Sequence, residues 1–352
     1  MKRISDLVKR LNNNEAAIVE NPINIKYLTG LDIDDGVMFL TKKGSFLLVD
    51  DRCFYCVKKT EEFEPLRLTN FKRQIKELVM KLKIEKIFLE ISYISLKRFQ
   101  AYLAAFSDNI IDNSDFLDNE LLKMRSKKTE EEIKKIKEAQ RLTDEGFSYI
   151  INNIKPGMSE KEIAAQLESK LILLGSEGRS FDFIVVSGER TALPHGRPSK
   201  REIKKGDLIT MDFGVKVDGY CSDMTRTISV GKLDSKKEEI YNVVLEAQKL
   251  AIKSVKPGIK GKELDKIARD YIANKGYGSY FTHSLGHGVG LDIHELPRLS
   301  KNISDIIEEG AVITIEPGIY IPNEFGVRIE DMMLVKEEPE DLTNSDKEII
   351  CI

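Results

Sequence analysis

The 352-residue chain has no tryptophan, only four cysteines and only four histidines, and its formal net charge is −3. Four scattered cysteines are too few for a disulfide framework and favour a reducing environment. Lysine and arginine are spread along the chain, so no basic stripe for nucleic acid is expected. No apolar run approaches the roughly 18–20 residues of a membrane-spanning helix, and the first ten residues lack the apolar region of a secretory signal. The sequence therefore predicts a cytoplasmic protein with no nucleic-acid or membrane partner.

The length suits two domains of roughly 100–200 residues each. Short apolar runs bounded by turn residues predict strands at 16–19, 37–40, 45–49 and 86–89. Helical spacing between them predicts helices over 71–82 and 96–106. Residues 107–120 are rich in Asp, Asn and Ser, which is typical of a boundary. We therefore expect an N-terminal α/β domain over residues 1–120 and a second domain over residues 121–352.

One pattern occurs twice in the second domain. Residues 206–214 read G-D-L-I-T-M-D-F-G and residues 310–318 read G-A-V-I-T-I-E-P-G, which aligns Asp212 with Glu316. A capping box at Thr129 predicts a long helix at the start of the first copy, and S-K-K-E at 235–238 predicts its counterpart. Two copies with different loops indicate a duplicated domain and not a solenoid.

Each copy carries a second acid downstream, Asp223 in the first and Glu330 in the second. Asp-Gly at 218–219 is a strong hairpin signal. If this pair takes the two central turn positions, Asp212 lies opposite Thr225, with Asp223 on the same face at a diagonal spacing of roughly 7 Å or less. Two such carboxylates can bridge cations about 3.5–4 Å apart. A lone acid would be a solvated turn residue, but four acids at duplicated positions favour a two-metal site, because buried like charges are costly without cations.

All four histidines lie in the duplicated domain. His283, His287 and His294 fall within twelve residues, and His195 is the fourth. His287 can supply a nitrogen ligand, with glycines on both sides that leave room for a close approach. His283 suits a structural hydrogen-bonding role. Arg298 and Arg328 each lie within four residues of a proposed site residue. Arginines in such positions more often form surface contacts or ion pairs.

Several segments resemble the pita-bread metallopeptidases, and within them the Xaa-Pro peptidases, prolidase and aminopeptidase P. The matching segments are 193–196, 211–214, 220–227, 283–290, 293–298, 315–320 and 327–331, and residues 24–30 resemble the N-terminal domain of the same family. The resemblance implies a mixed α/β (α+β) fold, with an N-terminal creatinase-like α/β domain followed by a pseudo-two-fold duplicated pita-bread catalytic domain. It also implies a homodimer.

The resemblance implies five metal ligands, the same five that the spacing argument reaches: Asp212, Asp223, His287, Glu316 and Glu330. Four carboxylates and one imidazole form a hard, oxygen-rich site. Such a site favours two Mn²⁺ ions per chain, with Co²⁺, Zn²⁺ or Fe²⁺ as alternatives.

By the same resemblance, a hydroxide that bridges the two cations attacks the carbonyl before proline, and Glu316 passes a proton to the leaving imino nitrogen. His195 and His294 stabilise the tetrahedral intermediate and orient the substrate. Arg298 pairs with the terminal carboxylate of a proline-containing dipeptide, which favours an Xaa-Pro dipeptidase. Aminopeptidase P, which acts on longer Xaa-Pro peptides, is the main alternative.

Other interpretations fit less of the chain. A methionine-aminopeptidase-like enzyme would share the five ligands but lack the N-terminal domain and the segment 294–298. Creatine amidinohydrolases and non-catalytic binding modules of this fold lack the metal ligands. Cys53 and Cys56 have no second ligand pair and lie in strand-like sequence. Glycines at 286–290 resemble a phosphate loop only superficially, because no strand–helix context surrounds them.

Overall fold

A computed structural model of the chain describes residues 2–106 and 110–352. The chain forms two compact units, Met1–Arg125 and Ser126–Ile352. The predicted boundary segment 107–120 falls before this division. Its residues 107–109 lie outside the described residues, and its last part belongs to a helix, Phe116–Ser126. Among the described residues, no helix combines the length and the apolar character needed to cross a membrane.

The first unit contains one six-stranded mixed sheet. Its strands are β1 (Glu15–Val19), β2 (Gly36–Thr41), β3 (Gly44–Val49), β4 (Glu64–Arg67), β5 (Lys86–Leu89) and β6 (Ile111–Asp112). Their order is β4-β3-β2-β1-β5-β6. Strand β2 pairs antiparallel with β1 and β3, whereas the β3–β4, β1–β5 and β5–β6 pairs are parallel. The four strands predicted from apolar runs are therefore confirmed, and they form the centre of the sheet.

Six helices accompany this sheet. They are α1 (Arg3–Val8), α2 (Pro22–Thr29), α3 (Asp51–Phe54), α4 (Phe71–Leu82), α5 (Leu96–Ala105) and α6 (Phe116–Ser126). Polar side chains cap several starts, and the Ser95 side chain, for example, accepts the Arg98 N–H at the start of α5. The strand-like interpretation of the Cys53 region is wrong. Asp50 accepts the Arg52 N–H and begins α3 there.

The second unit is built from two halves, and each half has two helices followed by strands and one short 3₁₀ helix. The first half contains α7 (Glu130–Ile151), α8 (Glu160–Leu173), β7 (Ile184–Ser187), a 3₁₀ helix (Gly188–Ala192), β8 (Leu208–Phe213), β9 (Lys216–Val217), β10 (Tyr220–Cys221) and β11 (Met224–Ser229). Its sheet has the order β11-β8-β7, and β9 and β10 form a short hairpin.

The second half repeats this plan with a larger sheet. It contains α9 (Ser235–Lys253), α10 (Gly261–Asn274), a 3₁₀ helix (Gly278–Tyr280), β12 (Gly286–Gly288), β13 (Glu295–Leu299), β14 (Val312–Ile315), β15 (Gly318–Ile321), β16 (Phe325–Arg328), β17 (Asp331–Leu334) and β18 (Glu340–Asp341). Its sheet has the order β13-β12-β14-β17-β18, and β15 and β16 form a hairpin.

Capping side chains mark where the first helix of each half begins. The capping box predicted at Thr129 is present at the start of α7. At the matching helix α9 the cap is Asp234, which accepts the Lys237 N–H, and not Ser235 as the sequence pattern indicated. Asp234 caps this helix in place of Ser235 because it lies one residue earlier and offers a charged acceptor to the helix N-terminus.

Each helix pair covers one face of the sheet in its own half. In the first half, Phe147 and Leu167 pack in one core with Met211 and Ile228 from the strands. In the second half, residues of α9 and α10 pack against β14, β16 and β17 in a separate core. Because strand side chains alternate between faces, Asp212, the neighbour of Met211, lies on the opposite face. The helices thus leave one polar face of each sheet to meet the other half.

The hairpin of the second half reaches the first half. The Gly326 N–H donates to the Thr191 hydroxyl at 2.9 Å. A Cβ on Gly326 would lie 2.3 Å from the Thr191 carbonyl oxygen, so no larger residue fits there. Arg328, at the end of β16, donates to the Pro194 carbonyl at 3.3 Å. Strand β16 therefore holds the segment that leads to His195.

Candidate metal centre

The four acids occupy equivalent places in the two halves. Asp212 lies near the end of β8 and Glu316 directly follows β14, whereas Asp223 and Glu330 directly precede β11 and β17. Strand β11 pairs with β8, and β17 pairs with β14 in the same antiparallel manner. Each half therefore presents one acid from each of two neighbouring strands.

The predicted register of the first half is confirmed. Val217 pairs with Tyr220 across the hairpin, and Asp218 and Gly219 both have positive φ, 49° and 82°. These angles match the two-residue turn that an Asp-Gly pair favours. Thr225 is the partner of Asp212, as the turn position required.

His287 on β12 lies between acids of both halves. Its Nε2 is 3.6 Å from Asp223 Oδ2 and 3.4 Å from Glu316 Oε1. Its Nδ1 lies 3.1 Å from the Gly288 carbonyl oxygen. Because a carbonyl oxygen can only accept, Nδ1 carries the proton and Nε2 presents its lone pair to the carboxylates. Burial, followed by the nearby His294, lowers the pKa of His287 to about 4, which keeps the ring neutral.

The glycines around His287 allow a close approach, and the neighbouring strands are what comes close. A Cβ on Gly286 would lie 2.1 Å from the Thr314 carbonyl oxygen, and one on Gly288 would lie 2.2 Å from the Leu296 carbonyl oxygen. These contacts are with the neighbouring strands. The glycines therefore allow close approach of backbone to backbone.

The buried carboxylates affect one another strongly. Burial is the main cause that raises the pKa of Asp223 well above its usual range, and the neighbouring Glu330, Asp212 and Glu316 raise it further. Burial, then Glu316 and Asp212, does the same for the pKa of Glu330. Burial raises the pKa of Glu316 to about 8. The protein has gathered negative charge where water does not stabilise it, which is unfavourable unless cations bind.

The residues present fit divalent cations. Within the part of the chain that the structure describes, Asp212 Oδ1 and Asp223 Oδ1 are buried and no hydrogen-bond donor reaches them. Ligand atoms of Asp223, His287 and Glu330 lie within 4.8 Å of one another. Carboxylate oxygens with one neutral imidazole nitrogen are a donor set that Mn²⁺ and similar ions accept. Buried acceptor atoms without a donor, as in Asp212 and Asp223, are available to such an ion.

Arg328 supports the site from the side of Asp212. Its Nη2 donates to Asp212 Oδ2 at 2.6 Å and its Nη1 to the Tyr320 hydroxyl at 2.7 Å. His283 Nε2 lies 2.8 Å from the same hydroxyl, and its Nδ1 is 2.8 Å from the Ser284 carbonyl oxygen. His283 therefore has the hydrogen-bonding surroundings that the sequence suggested for it. The sequence left Arg328 undecided, and the structure places it on a proposed ligand.

The two other histidines are exposed. The His294 ring is 4.4 Å from the His287 ring, measured between centroids. His195 is exposed and directly follows Pro194, whose carbonyl Arg328 contacts. The structure thus brings His294 beside a proposed ligand and leaves both rings accessible to a substrate.

Arg298 lies on β13 opposite His287 and already has a partner. Its Nε donates to Asp305 Oδ2 at 3.0 Å, and its backbone N–H donates to the same atom at 3.1 Å. The side chain is 58% exposed. A substrate carboxylate would have to share or displace this ion pair.

Sequence reasoning missed two residues that join the halves. Thr225 donates to Glu330 Oε2 at 2.7 Å, and Arg226 donates to Asp331 Oδ1 at 2.7 Å and to the Glu330 carbonyl oxygen at 2.6 Å. The sequence placed Thr225 opposite Asp212 and on the strand face of Asp223, but it gave no sign of the bond to Glu330. No sequence signal links Arg226 with a partner 105 residues away.

Comparison with known proteins identifies two matching family models. The model described as metallopeptidase family M24 matches residues 134–337. The model described as the creatinase/prolidase N-terminal domain matches residues 2–126. Together they extend over nearly the whole chain.

Individual relatives match along their full length. An Xaa-Pro dipeptidase of Pyrococcus furiosus is 38% identical, over 99% of each chain. The solved structure of an Xaa-Pro dipeptidase from Bacillus anthracis is 38% identical with a TM-score of 0.95, covering 100% of this chain and 99% of the other. That of an X-Pro aminopeptidase from Thermotoga maritima is 37% identical with a TM-score of 0.89, covering 98% and 99%.

Proposed function

Because the chain belongs to metallopeptidase family M24, we propose that it is an Xaa-Pro dipeptidase, a prolidase, which hydrolyses the peptide bond before proline. The observation that carries this proposal is the lone pair of His287 Nε2, which faces Asp223 and Glu316 at 3.6 and 3.4 Å. Xaa-Pro peptidases among its relatives give the substrate class.

Five residues would hold the metal: Asp212, Asp223, His287, Glu316 and Glu330. Two divalent ions per chain would match the four carboxylates in charge, and Mn²⁺ is the ion that we favour for this donor set, ahead of Co²⁺, Zn²⁺ and Fe²⁺. When bound, such ions supply Lewis acidity and make water a stronger acid.

The residues of the chain then divide the remaining work. Glu316 is half-buried at the edge of the cluster, where it can accept a proton from water and deliver it to the leaving imino nitrogen. His195 and His294 are exposed, His294 lies beside His287, and in this proposal both would donate hydrogen bonds to the oxyanion of the tetrahedral intermediate. Proline as leaving group has no N–H and a fixed φ, so recognition must rely on the ring and on the groups around it.

Arg298 is our candidate for the terminal carboxylate of the dipeptide. Its guanidinium is exposed and shares Asp305, and it lies across from His287 in the β12–β13 pair. A bidentate arginine–carboxylate pair would fix the length of substrate that the site accepts. A dipeptide satisfies this arrangement, whereas a longer peptide continues past the arginine.

Aminopeptidase P is the second candidate. The Thermotoga maritima relative, described as an X-Pro aminopeptidase, has nearly the same identity to this chain as the dipeptidases. The chemistry would be the same, and only the length of the preferred substrate would differ.

Substrate length and proline dependence test the proposal. The metal-reconstituted protein is assayed with Ala-Pro, Ala-Ala, Ala-Pro-Ala and Ala-Pro amide. We expect hydrolysis of Ala-Pro well above the other three. Equal hydrolysis of Ala-Pro and Ala-Ala would contradict the proline requirement, and a preference for Ala-Pro-Ala would favour aminopeptidase P.

Two further features belong to the same proposal. We propose a homodimer, from the family resemblance, and a cytoplasmic location. Cys53, Cys56, Cys221 and Cys351 are all free thiols, which supports a reducing environment. Size measurement by light scattering at several concentrations tests the dimer, and fractionation of the source cells tests the location.

A further inference from the structure

The Thr225 hydroxyl lies at the contact between the two halves of the second unit. Thr225 is fully buried on β11, directly opposite Asp212. Side chains on a strand alternate, so Asp223, Thr225 and Thr227 share the face that meets the second half. Thr225 is thus the first residue on that face after a proposed ligand.

The hydrogen bonds of this hydroxyl have a defined direction. Arg328 Nε donates to Thr225 Oγ1 at 3.1 Å. A guanidinium cannot accept, so the hydroxyl hydrogen must point elsewhere. It is donated to Glu330 Oε2, 2.7 Å away. Arg328 therefore determines the direction in which Thr225 donates.

The same arginine connects Thr225 to the first half of the site. Arg328 Nη2 donates to Asp212 Oδ2 at 2.6 Å. The series Asp212, Arg328, Thr225 and Glu330 consequently joins a proposed ligand of one half to a proposed ligand of the other. Each link is a buried bond, and three of the four groups are ionisable.

The hydrogen bond from the Thr225 hydroxyl orients the Glu330 carboxylate and does not hold the Glu330 backbone. The Glu330 N–H is already held by the Thr225 carbonyl at 3.1 Å, and Arg226 holds the Glu330 carbonyl at 2.6 Å. Loss of the hydroxyl would leave both strands in place. It would free the torsions of the glutamate side chain, which the neighbouring acids repel, and would remove one acceptor from Arg328 Nε.

We propose that Thr225 is a positioning residue that orients the Glu330 carboxylate for metal binding. Thr225 touches neither metal nor substrate, and it acts through Glu330. The inference rests on the proposed function of the site, because it requires that Glu330 is a ligand. Groups that orient metal ligands in this way typically contribute 10–100-fold to metal affinity or activity.

Two pairs of variants isolate the hydroxyl. Threonine and valine have nearly the same shape, and serine and alanine differ only by the oxygen, so the comparisons are wild type with Thr225→Val, and Thr225→Ser with Thr225→Ala. Affinity for Mn²⁺ and Co²⁺ is measured by calorimetry on metal-free protein. In both pairs we expect the member with the hydroxyl to bind at least one ion about 10–100-fold more tightly. The serine pair keeps the test decisive if valine disturbs the fold.

Thr210→Val is the matched control. Thr210 is buried two residues before Asp212, and its hydroxyl lies 3.0 Å from that of Thr227, with no carboxylate involved. We expect this variant to lose stability as Thr225→Val does but to keep wild-type metal affinity. Equal losses of affinity in both valine variants would assign the effect to general destabilisation and overturn the proposal.

Activity gives a second readout. If Thr225 acts through metal affinity, kcat of Thr225→Val should recover toward the wild-type value as the metal concentration rises. Wild-type affinity in both hydroxyl-free variants would overturn this inference alone. Absence of metal binding by the wild type would instead contradict the proposed function.

Discussion

The two halves of the second unit place equivalent acids differently. The first half uses the short aspartates Asp212 and Asp223, and the second half uses the longer Glu316 and Glu330. The second half also contributes the ligand candidate His287 and has five strands in its sheet where the first has three. Short side chains are oriented by their backbone, whereas longer ones need additional contacts to be held in place.

Those additional contacts come from the opposite half. Thr225 of the first half holds the Glu330 carboxylate, and Arg226 holds the neighbouring Asp331. In return, Arg328 of the second half holds Asp212. The duplicated halves are therefore not two independent sites placed together. Each supplies the groups that orient the acids of the other.

Removal of one acid from either half should have the largest effect. We expect Asp223→Ala and Glu330→Ala each to lose bound metal. We also expect kcat/KM to fall on the order of 10⁴-fold in each variant, because several kcal/mol of transition-state stabilisation are lost. The measurements are metal content after reconstitution with Mn²⁺ or Co²⁺ and hydrolysis of Ala-Pro. Full metal content and activity in one of the two variants would show that the acids of one half suffice, and would contradict the claim that both halves are needed.

Replacement of the exposed histidines, one from each half, should have the second-largest effect on activity. His195→Ala and His294→Ala should keep their metal and fold but lose roughly 10²–10⁴-fold in kcat, because in the proposed mechanism both rings would contact the reacting groups. Steady-state kinetics at saturating metal, with metal content as the control, checks this. Wild-type turnover in either variant would remove that histidine from the mechanism.

The buried ion pair between the halves should matter for stability. Arg226 and Asp331 are almost completely buried, so Arg226→Met should lower the free energy of unfolding by about 3–5 kcal/mol, because Asp331 loses its fully buried ionic partner and keeps Lys347 and Gln248. Arg201→Met, which breaks a pair with Asp207 within the first half at 17% and 12% exposure, should cost less. Urea unfolding compares the two, and an equal or larger loss for Arg201 would contradict the importance of the contact between halves.

Replacement of Arg298, whose side chain is exposed, should have the smallest effect. Arg298→Ala should raise KM for Ala-Pro by about 10-fold, near 1.4 kcal/mol, with kcat little changed, because the carboxylate contact is common to ground and transition states. It should also narrow the preference for the dipeptide over Ala-Pro amide. Asp305→Asn is the companion variant. If Asp305 competes with substrate for the guanidinium, KM should fall in this variant, and an unchanged dipeptide preference in both would exclude Arg298 from carboxylate recognition.

Local patterns predicted much of the fold. The capping box at Thr129, the turn at Asp218 and the pairing of Asp212 with Thr225 depend on residues close in sequence, where spacing alone determines geometry. The mixed α/β fold with a duplicated second domain is confirmed. The site residues themselves stay a prediction until a variant or a bound metal tests them.

Contacts between distant segments lay beyond the sequence. Arg226 meets Asp331 and Arg328 meets Asp212 across more than 100 residues. Either arginine could equally have been a surface residue. The sequence predicted a close approach at the glycines around His287 but not its partners, because the strands that approach Gly286 and Gly288 belong to segments several residues to tens of residues away. A period-two pattern tells which face a side chain occupies but not what that face meets.

The contact between Gly326 and Thr191 also constrains how the sequence can change. Since no Cβ fits at Gly326, any replacement there must push on the segment Gly188–Ala192, three residues before His195. A change in the length or composition of the β15–β16 hairpin would then displace His195 of the first half, which is remote in sequence. The two segments are expected to co-vary among related chains. A single added methyl group, far along the chain from any histidine, could thus be selected against as strongly as a change at the histidine itself.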